Sequence, residues 1–393
     1  MSQLSPQSLY LHIPFCKRRC FYCDFAITTG GEELKQKYVD VLCQEIALTV
    51  AEHPPEHSLQ TIFFGGGTPS LLSVSQLAQI MQAIAQHFAI APNAEISLEA
   101  NAGTVSLETL QGYRSLGVNR ISLGAQAFQQ ELLDICGRGH SVAEIYESVT
   151  AIKKAGFENF SLDLISGLPH QTMSDWELSL QTAIALQPTH LSVYDLTIEE
   201  GTAFGKRYQA GDQPLPTESL TVEMYLAAHK TLPAAGYEHY EISNYAQSGY
   251  QARHNLTYWH NQSFYGVGMG ATSYLNRQRC DRPRKMREYL DAFAQWQTEG
   301  VGFTAPSIDL AEELMDTLMQ GLRLAEGLSL KALQSTYGKE LCDRALRILE
   351  PYQDQHWVNL ISQSQDQKIV LSPPDGWLFS NIIIADLYKN LIN

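Results

Sequence analysis

Leu9–Phe25 reads LYLHIPFCKRRCFYCDF, an alternating apolar run that breaks into three cysteines spaced Cys16-x3-Cys20-x2-Cys23. The run has the character of a buried strand, and a tight loop after it can turn all three sulfurs to one face. Four thiolates fill every iron of a [4Fe–4S] cluster, so three leave one iron open to an outside ligand. A zinc loop, or a chance group of buried thiols, is the competing reading. Structural zinc would want a fourth Cys or His at short spacing. Position 25 is Phe, and His12 falls on the strand before the loop.

Outward from that loop, short apolar runs alternate with helical patterns. Helices are expected at 33–52, 75–88, 107–116, 130–136, 142–155 and 175–186, with strands at 61–64, 95–100, 120–123, 160–165 and 190–196. Strands separated by helices imply right-handed crossovers and a parallel sheet. The expected class is α/β, an incomplete (β/α)6 barrel open on one side, with its site at the carboxyl ends of the strands. From Gly201 the rhythm changes. A helix at 218–232 and a strand at 237–242 precede a polar and aromatic loop, 244–276, and a basic stretch, Asn276–Arg287. Beyond Pro306 three helices, two short strands and a last helix suggest a C-terminal winged-helix-like α+β module. The expected divisions are a barrel at 1–240, a connecting segment at 241–305 and the module at 306–393. Residues 306–393 hold 12 acidic and 7 basic side chains, which suits a structural or protein-binding module better than a DNA reader.

The 393 residues carry a formal net charge of −15, which argues against nucleic acid as a partner. No apolar run approaches the ~20 residues of a membrane-spanning helix. The opening MSQLSPQSLY shows no basic-then-apolar leader, so a cytoplasmic location is expected. Seven cysteines are an odd number for a disulfide framework, and Cys43, Cys136, Cys280 and Cys342 read as small apolar residues.

CxxxCxxC after a first strand resembles the radical SAM superfamily, in which the open iron is chelated by the amino and carboxylate groups of S-adenosylmethionine. Other strand ends offer suitable groups. Gly65–Gly67 let backbone approach a small polar ligand, although three glycines alone make an ordinary turn. Glu99 and Gln126 end strands where ribose or amino-acid groups could be bound, or where two polar residues simply meet solvent. Arg138 has the planar fork for a carboxylate. Asp163 lies among apolar neighbours, so a ligand or an arginine partner is expected. The motifs LYLHIPFC, FFGGGTPS, SLEAN, SLGAQAF, LDLISGLPHQT and HLSVYDLTIEEGT follow the order of the oxygen-independent coproporphyrinogen III oxidase (HemN-like) group. That resemblance covers essentially the whole chain. It implies cluster ligation by Cys16, Cys20 and Cys23. It implies S-adenosylmethionine contacts from Tyr10, Tyr22, Gly66, Gly67, Thr68, Glu99, Gln126, Arg138, Asp163 and Thr197.

Two departures from the oxidases stand out. Phe25 occupies the place of their further cysteine, and the first strand begins by Leu9, without their longer N-terminal extension. In addition, His254-Asn255-x-x-Tyr258-Trp259 (HNLTYW) resembles the HemW branch of haem chaperones. That resemblance implies haem binding, transfer to haem-acceptor proteins such as respiratory or haem-storage proteins, and no oxidase activity; a coproporphyrinogen oxidase or another radical SAM catalyst, and a regulatory haem-binding protein, are the alternatives. It leaves open peripheral membrane association and a monomer or homodimer. An imidazole can ligate haem iron, and Tyr258 and Trp259 offer flat apolar faces. His254 is therefore the candidate haem ligand, with His260 and His140 behind it; a core histidine packed on aromatics is the plain alternative. The arginines of 277–287 could pair with haem propionates or form a solvated face.

Overall fold

Six strand–helix units begin the chain in the computed structural model, which describes residues 5–209, 211–363 and 366–392. Met1–Leu4, the start of the N-terminal stretch read above, lie outside the described residues. The units run β1 (Ser8–Ile13), α1 (Glu32–Glu52), β2 (Leu59–Gly66), α2 (Val74–His87), β3 (Ile90–Asn101), α3 (Leu107–Ser115), β4 (Arg120–Gln126), α4 (Gln130–Ile135), α5 (Val142–Lys154), β5 (Asn159–Ser166), α6 (Met173–Ala185) and β6 (His190–Asp195). Four helix starts are written locally: Ser73, Ser106, Ser141 and Thr172 each form a reciprocal capping box with the residue three positions on. Strands β1 to β6 are parallel neighbours in chain order. Leu98, Ile121, Leu123, Leu162 and Leu164 are buried in the barrel's apolar core. The alternate positions Ser97, Arg120, Ser122, Ser161 and Ser192 are also buried, so the period of two places polar groups on the opposite, inward face.

The remainder of the barrel comes from α7 (Ala203–Arg207), α8 (Glu218–Ala234), β7 (Glu238–Glu241), β8 (Asn244–Ala246), α9 (Arg253–Trp259), β9 (Tyr265–Val267), β10 (Thr272–Leu275), β11 (Gln278–Asp281) and α10 (Met286–Glu299). The sheet order is β7-β8-β6-β5-β4-β3-β2-β1-β9, with β9 parallel to β1 and β8 antiparallel to β6. Strands β7 and β9 end the sheet, so the barrel stays open. Residues 241–305 are thus not a connecting segment. They supply both outer parts of the sheet, and Tyr245, Tyr265, Val267 and Tyr289 join the barrel's core.

The basic stretch divides: Arg277, Arg279 and Arg282 are drawn into ion pairs with the rest of the fold, while Arg284, Lys285 and Arg287 form the solvated face that was the alternative reading. Arg282, only 5% exposed, meets Glu45 at 2.9 Å. Arg277 pairs with Glu313 at 2.9 Å and Arg279 with Asp316 at 2.8 Å, tying the β10–β11 hairpin to the C-terminal module. Arg284 pairs with Asp24, Lys285 with Glu288 and Arg287 with Asp291.

That module contains α11 (Leu310–Gly321), β12 (Leu328–Ser329), α12 (Leu330–Tyr337), α13 (Lys339–Asp354), β13 (Val358–Gln363), β14 (Asp366–Leu371), α14 (Asp375–Leu378) and α15 (Ser380–Leu391). Its strands pair antiparallel in the order β12-β14-β13. Leu318, Leu349, Leu371, Trp377 and Leu387 form a second core, as a winged-helix-like arrangement requires. Among the described residues no helix is long and apolar enough to cross a membrane.

Candidate cofactor site

The cysteine loop is pinned on both flanks before any ligand is considered. Cys16 N donates to Thr28 O at 3.0 Å, and Cys23 N donates to Cys20 O at 3.3 Å. Phe21 N donates to Cys136 O, Phe204 N donates to Phe21 O, and the Arg207 guanidinium lies 4.6 Å from the Phe21 ring centre. Cys16, Cys20 and Cys23 thereby line one cavity of about 650 Å³ at the carboxyl ends of the strands. Tyr10, Tyr22, Gly66, Gly67, Thr68, Glu99, Gln126, Arg138, Asp163 and Thr197 all line the same cavity.

Arg138 divides its guanidinium among protein partners. Its Nη1 faces Cys20 Sγ at 3.6 Å and Tyr22 OH at 3.3 Å, while Nη2 donates to Asn101 Oδ1 at 2.6 Å and Gly124 O at 3.0 Å. Its buried Nε has no partner. A buried donor left unpaired is costly, so this orphan beside the thiols fits an anionic ligand group there. Asn101 also donates from Nδ2 to Thr68 Oγ1 at 2.7 Å, and Thr68 Oγ1 lies 3.5 Å from Cys16 Sγ. The link Arg138–Asn101–Thr68 thus orients two of the three thiols. Sequence reasoning passed over Asn101, although it ends the quoted SLEAN motif.

The glycines serve the protein's own packing as much as a ligand. Gly66 has φ +110°, and a Cβ there would lie 2.6 Å from the His12 ring; one on Gly67 would lie 2.7 Å from the Pro14 carbonyl carbon. His12 Nε2 meets the Ala26 carbonyl at 2.8 Å, so Nε2 carries the proton and Nδ1 accepts from Tyr10 OH at 3.0 Å. Burial lowers its pKa to about 4. Gln126, at φ +72° beside a register shift between β4 and β5, holds a strained backbone at the cavity wall.

Carboxylates line the same cavity. Glu99 Oε2 accepts from Gly66 N at 3.0 Å, and burial, then nearby Asp163, pushes its pKa to about 7. Among the described residues Asp163 makes no ion pair with an arginine, which leaves the ligand of the two expected partners; Ser122 and Ser161 donate to it at 3.1 and 3.3 Å. Its pKa is raised by burial. Asp195, a further lining residue, is raised to about 6 by burial. Arginine, thiols and carboxylates lining one cavity suit a zwitterion that also bears a sulfonium.

Residues 10–183 match the Radical SAM superfamily profile. A Synechocystis sp. protein named "Heme chaperone HemW" is 42% identical across 99% of this chain and 98% of its own length. The chain belongs to the HemW family. The Bacillus subtilis HemW is 37% identical over 85% of this chain and 88% of its own. The Escherichia coli HemW is 41% identical over 69% of this chain and 71% of its own. The fold is also that of the coproporphyrinogen III oxidase HemN from Escherichia coli, a radical SAM enzyme, at TM-score 0.83 and 22% identity, covering 98% of this chain and 90% of that one. Superfamily membership implies a [4Fe–4S] cluster and S-adenosylmethionine, and the thiols, orphan donor and carboxylates above fit both. In this HemW chain Phe25 is 67% exposed beside the cysteines.

The HNLTYW motif of this HemW chain stands elsewhere. His254 is fully buried on α9. Its Nδ1 pairs with Thr61 Oγ1 and its Nε2 with Tyr258 OH, both at 2.8 Å, and its ring stacks on Phe63 at 5.1 Å. Glu95 caps the helix, accepting from Arg253 N and His254 N at 3.0 Å each. Thr61 and Glu95 belong to the incoming ends of β2 and β3, so α9 plugs the barrel at the end away from the cysteines. No nitrogen of His254 is left for iron, and burial lowers its pKa to about 3. The lesser candidates are engaged too: His140 Nε2 lies 3.4 Å from Ala125 O, and His260 Nε2 pairs with Glu326 at 2.8 Å.

Proposed function

We propose that this chain carries haem and hands it to haem-acceptor proteins, with a [4Fe–4S] cluster on Cys16, Cys20 and Cys23 and S-adenosylmethionine in the adjoining cavity. The observation that carries the reading is the 42% identity to a haem chaperone over nearly the full length of both chains. Phe25, in place of the oxidases' further cysteine, agrees with it. A bound cluster supplies an open iron and a one-electron couple. Around it, Arg138 offers positive charge to a carboxylate, Gly66 and Thr68 hold the loop, and Glu99 and Asp163 offer acceptors to ammonium and hydroxyl groups. The acceptors, respiratory or haem-storage proteins, are met in the cytoplasm or at a membrane surface that the chain touches without crossing.

The test is anaerobic reconstitution followed by parallel assays of haem uptake, haem transfer and coproporphyrinogen decarboxylation. Saturable haem binding without decarboxylation is expected; turnover of coproporphyrinogen would return the chain to the oxidases. Within the same preparation, replacing Cys16, Cys20 and Cys23 together by Ser should remove nearly all cluster iron, and Cys43→Ser should remove none. Equal iron in the triple variant would overturn the cluster assignment.

A further inference from the structure

His229, midway along α8, keeps one ring nitrogen available, as His140 and His260 do, but its other nitrogen is held by a second imidazole. Its Nδ1 lies 2.9 Å from Nδ1 of His239. His239 Nε2 faces the Ile242 carbonyl at 3.3 Å, and a carbonyl only accepts. His239 therefore carries its proton on Nε2, its Nδ1 is the acceptor, and His229 donates from Nδ1. That leaves a lone pair on His229 Nε2, which has no hydrogen-bond partner and is not among the buried unpartnered atoms, so it reaches solvent. His239 is itself held fast, stacked on Tyr245 at 3.8 Å and met edge-on by Trp377 at 4.4 Å. A histidine whose second N–H is anchored in this way is fixed in tautomer and ring orientation, as metal-ligating imidazoles are. Burial also lowers the pKa of both rings, His239 to about 3, so the lone pair is unprotonated at neutral pH.

An apolar stripe on α8 runs past that nitrogen, flanked by exposed Glu218, Glu223 and Lys230. Val222 is 39% and Leu226 37% exposed, and Pro233 is exposed as well. Positions 222, 226, 229 and 233 follow one another along one helix face, over about 16 Å at the helical rise. A bare metal ion would need three or four protein donors, and among the described residues no three His, Cys, Asp or Glu gather for one. A metalloporphyrin brings four nitrogens and a broad apolar face of its own. From the protein it needs one axial imidazole and a flat apolar seat.

We propose that His229 is the axial ligand of a haem seated on this outer face of α8, oriented by His239. The inference rests on the haem-carrying reading above and locates its cargo away from both His254 and the cluster cavity. The Nε2 lone pair forms the bond to iron, and nothing is oxidised or reduced in the step. A seat on the outside of the barrel also leaves the group within reach of an acceptor.

The experiment titrates hemin into the full-length wild type, His229→Ala and Leu226→Asp, following the Soret band and tryptophan quenching. The wild type should saturate at one site. His229→Ala should bind at least tenfold more weakly and lose the imidazole-ligated band, which added imidazole restores. Leu226→Asp should weaken binding with the far-ultraviolet circular dichroism unchanged, an arm that survives if the His229 variant folds poorly. Identical titrations in all three proteins would place the haem elsewhere, or show adventitious hemin only, and the proposal would fall while saturable uptake in the wild type kept the haem reading. No saturable uptake by the wild type would instead overturn the haem reading itself.

Discussion

The two ends of the barrel make an instructive pair. At the carboxyl ends of the strands, Arg138 Nε is buried without a partner, Gln126 is strained, and Glu99 and Asp163 are forced together. At the opposite end, every polar atom of the His254 ring and the first amides of α9 have partners within 3.0 Å. Both ends are marked by distinctive motifs. Buried Arg120 Nε, at the start of β4 on the His254 side, also lacks a partner, so an unpaired donor alone marks neither end. Only the cysteine end is unfinished in a second sense, because its unmet groups line an open cavity. Unmet hydrogen-bonding capacity beside open space, rather than the presence of chemically versatile side chains, separates a place that awaits a ligand from one that completes a fold.

That contrast is most exposed to His254→Ala. The change opens a core cavity and strands Thr61 and Tyr258, so a loss of about 3 kcal/mol in urea unfolding is expected. S-adenosylmethionine affinity should stay within about twofold wherever the variant remains folded, because each ~1.4 kcal/mol of coupling would be tenfold. An unchanged unfolding midpoint with lost haem binding would reverse the roles assigned to the two ends.

At the unfinished end, Arg138→Ala should weaken S-adenosylmethionine binding by roughly tenfold to a hundredfold, the ~1.5–3 kcal/mol of a hydrogen bond to a charged group. Calorimetry on reconstituted protein is the readout, with a smaller loss for Asp163→Asn. Unchanged affinity in both would mean that the cavity binds something else.

The finest comparison uses pH. In the folded chain burial holds Glu99 protonated up to about pH 7, against a reference value of 4.5. The native state thus keeps a proton that the unfolded chain has released between those limits, and this group's contribution to stability falls as pH rises through them. Glu99→Gln should flatten the decline in apo-protein Tm between pH 5 and 8. The same decline in the variant would assign the effect to Asp163 or Asp195.

Much of this was readable in the chain because its causes are local. Helical apolar periodicity and short apolar runs placed the six units to within a few residues, and the capping boxes at Ser73, Ser106, Ser141 and Thr172 are a further local signal that went unread. The cavity followed, since its lining sits at strand ends. The failures have distant causes. The cap of α9 is Glu95, 159 positions before His254, and β9 has three residues that matter only beside β1. Arg282 finds its carboxylate 237 positions away. Helix α10 is a different case: Tyr289, Phe293 and Trp296 form a buried stripe at helical spacing, a local signal that went unread beside the arginines.

The seating of the C-terminal module has a mechanical consequence. Glu313 and Asp316 of α11 grip Arg277, Arg279 and Tyr274 on the β10–β11 hairpin. Tyr274 bridges to Phe264, immediately before β9, and β9 is bonded along β1, whose next residues lead to Cys16. A push on the module therefore has a path through ion pairs and backbone ladders to the strand that carries the cysteine loop. A protein that docked on the module would have its grip transmitted to the end that carries the cysteine loop over a short lever.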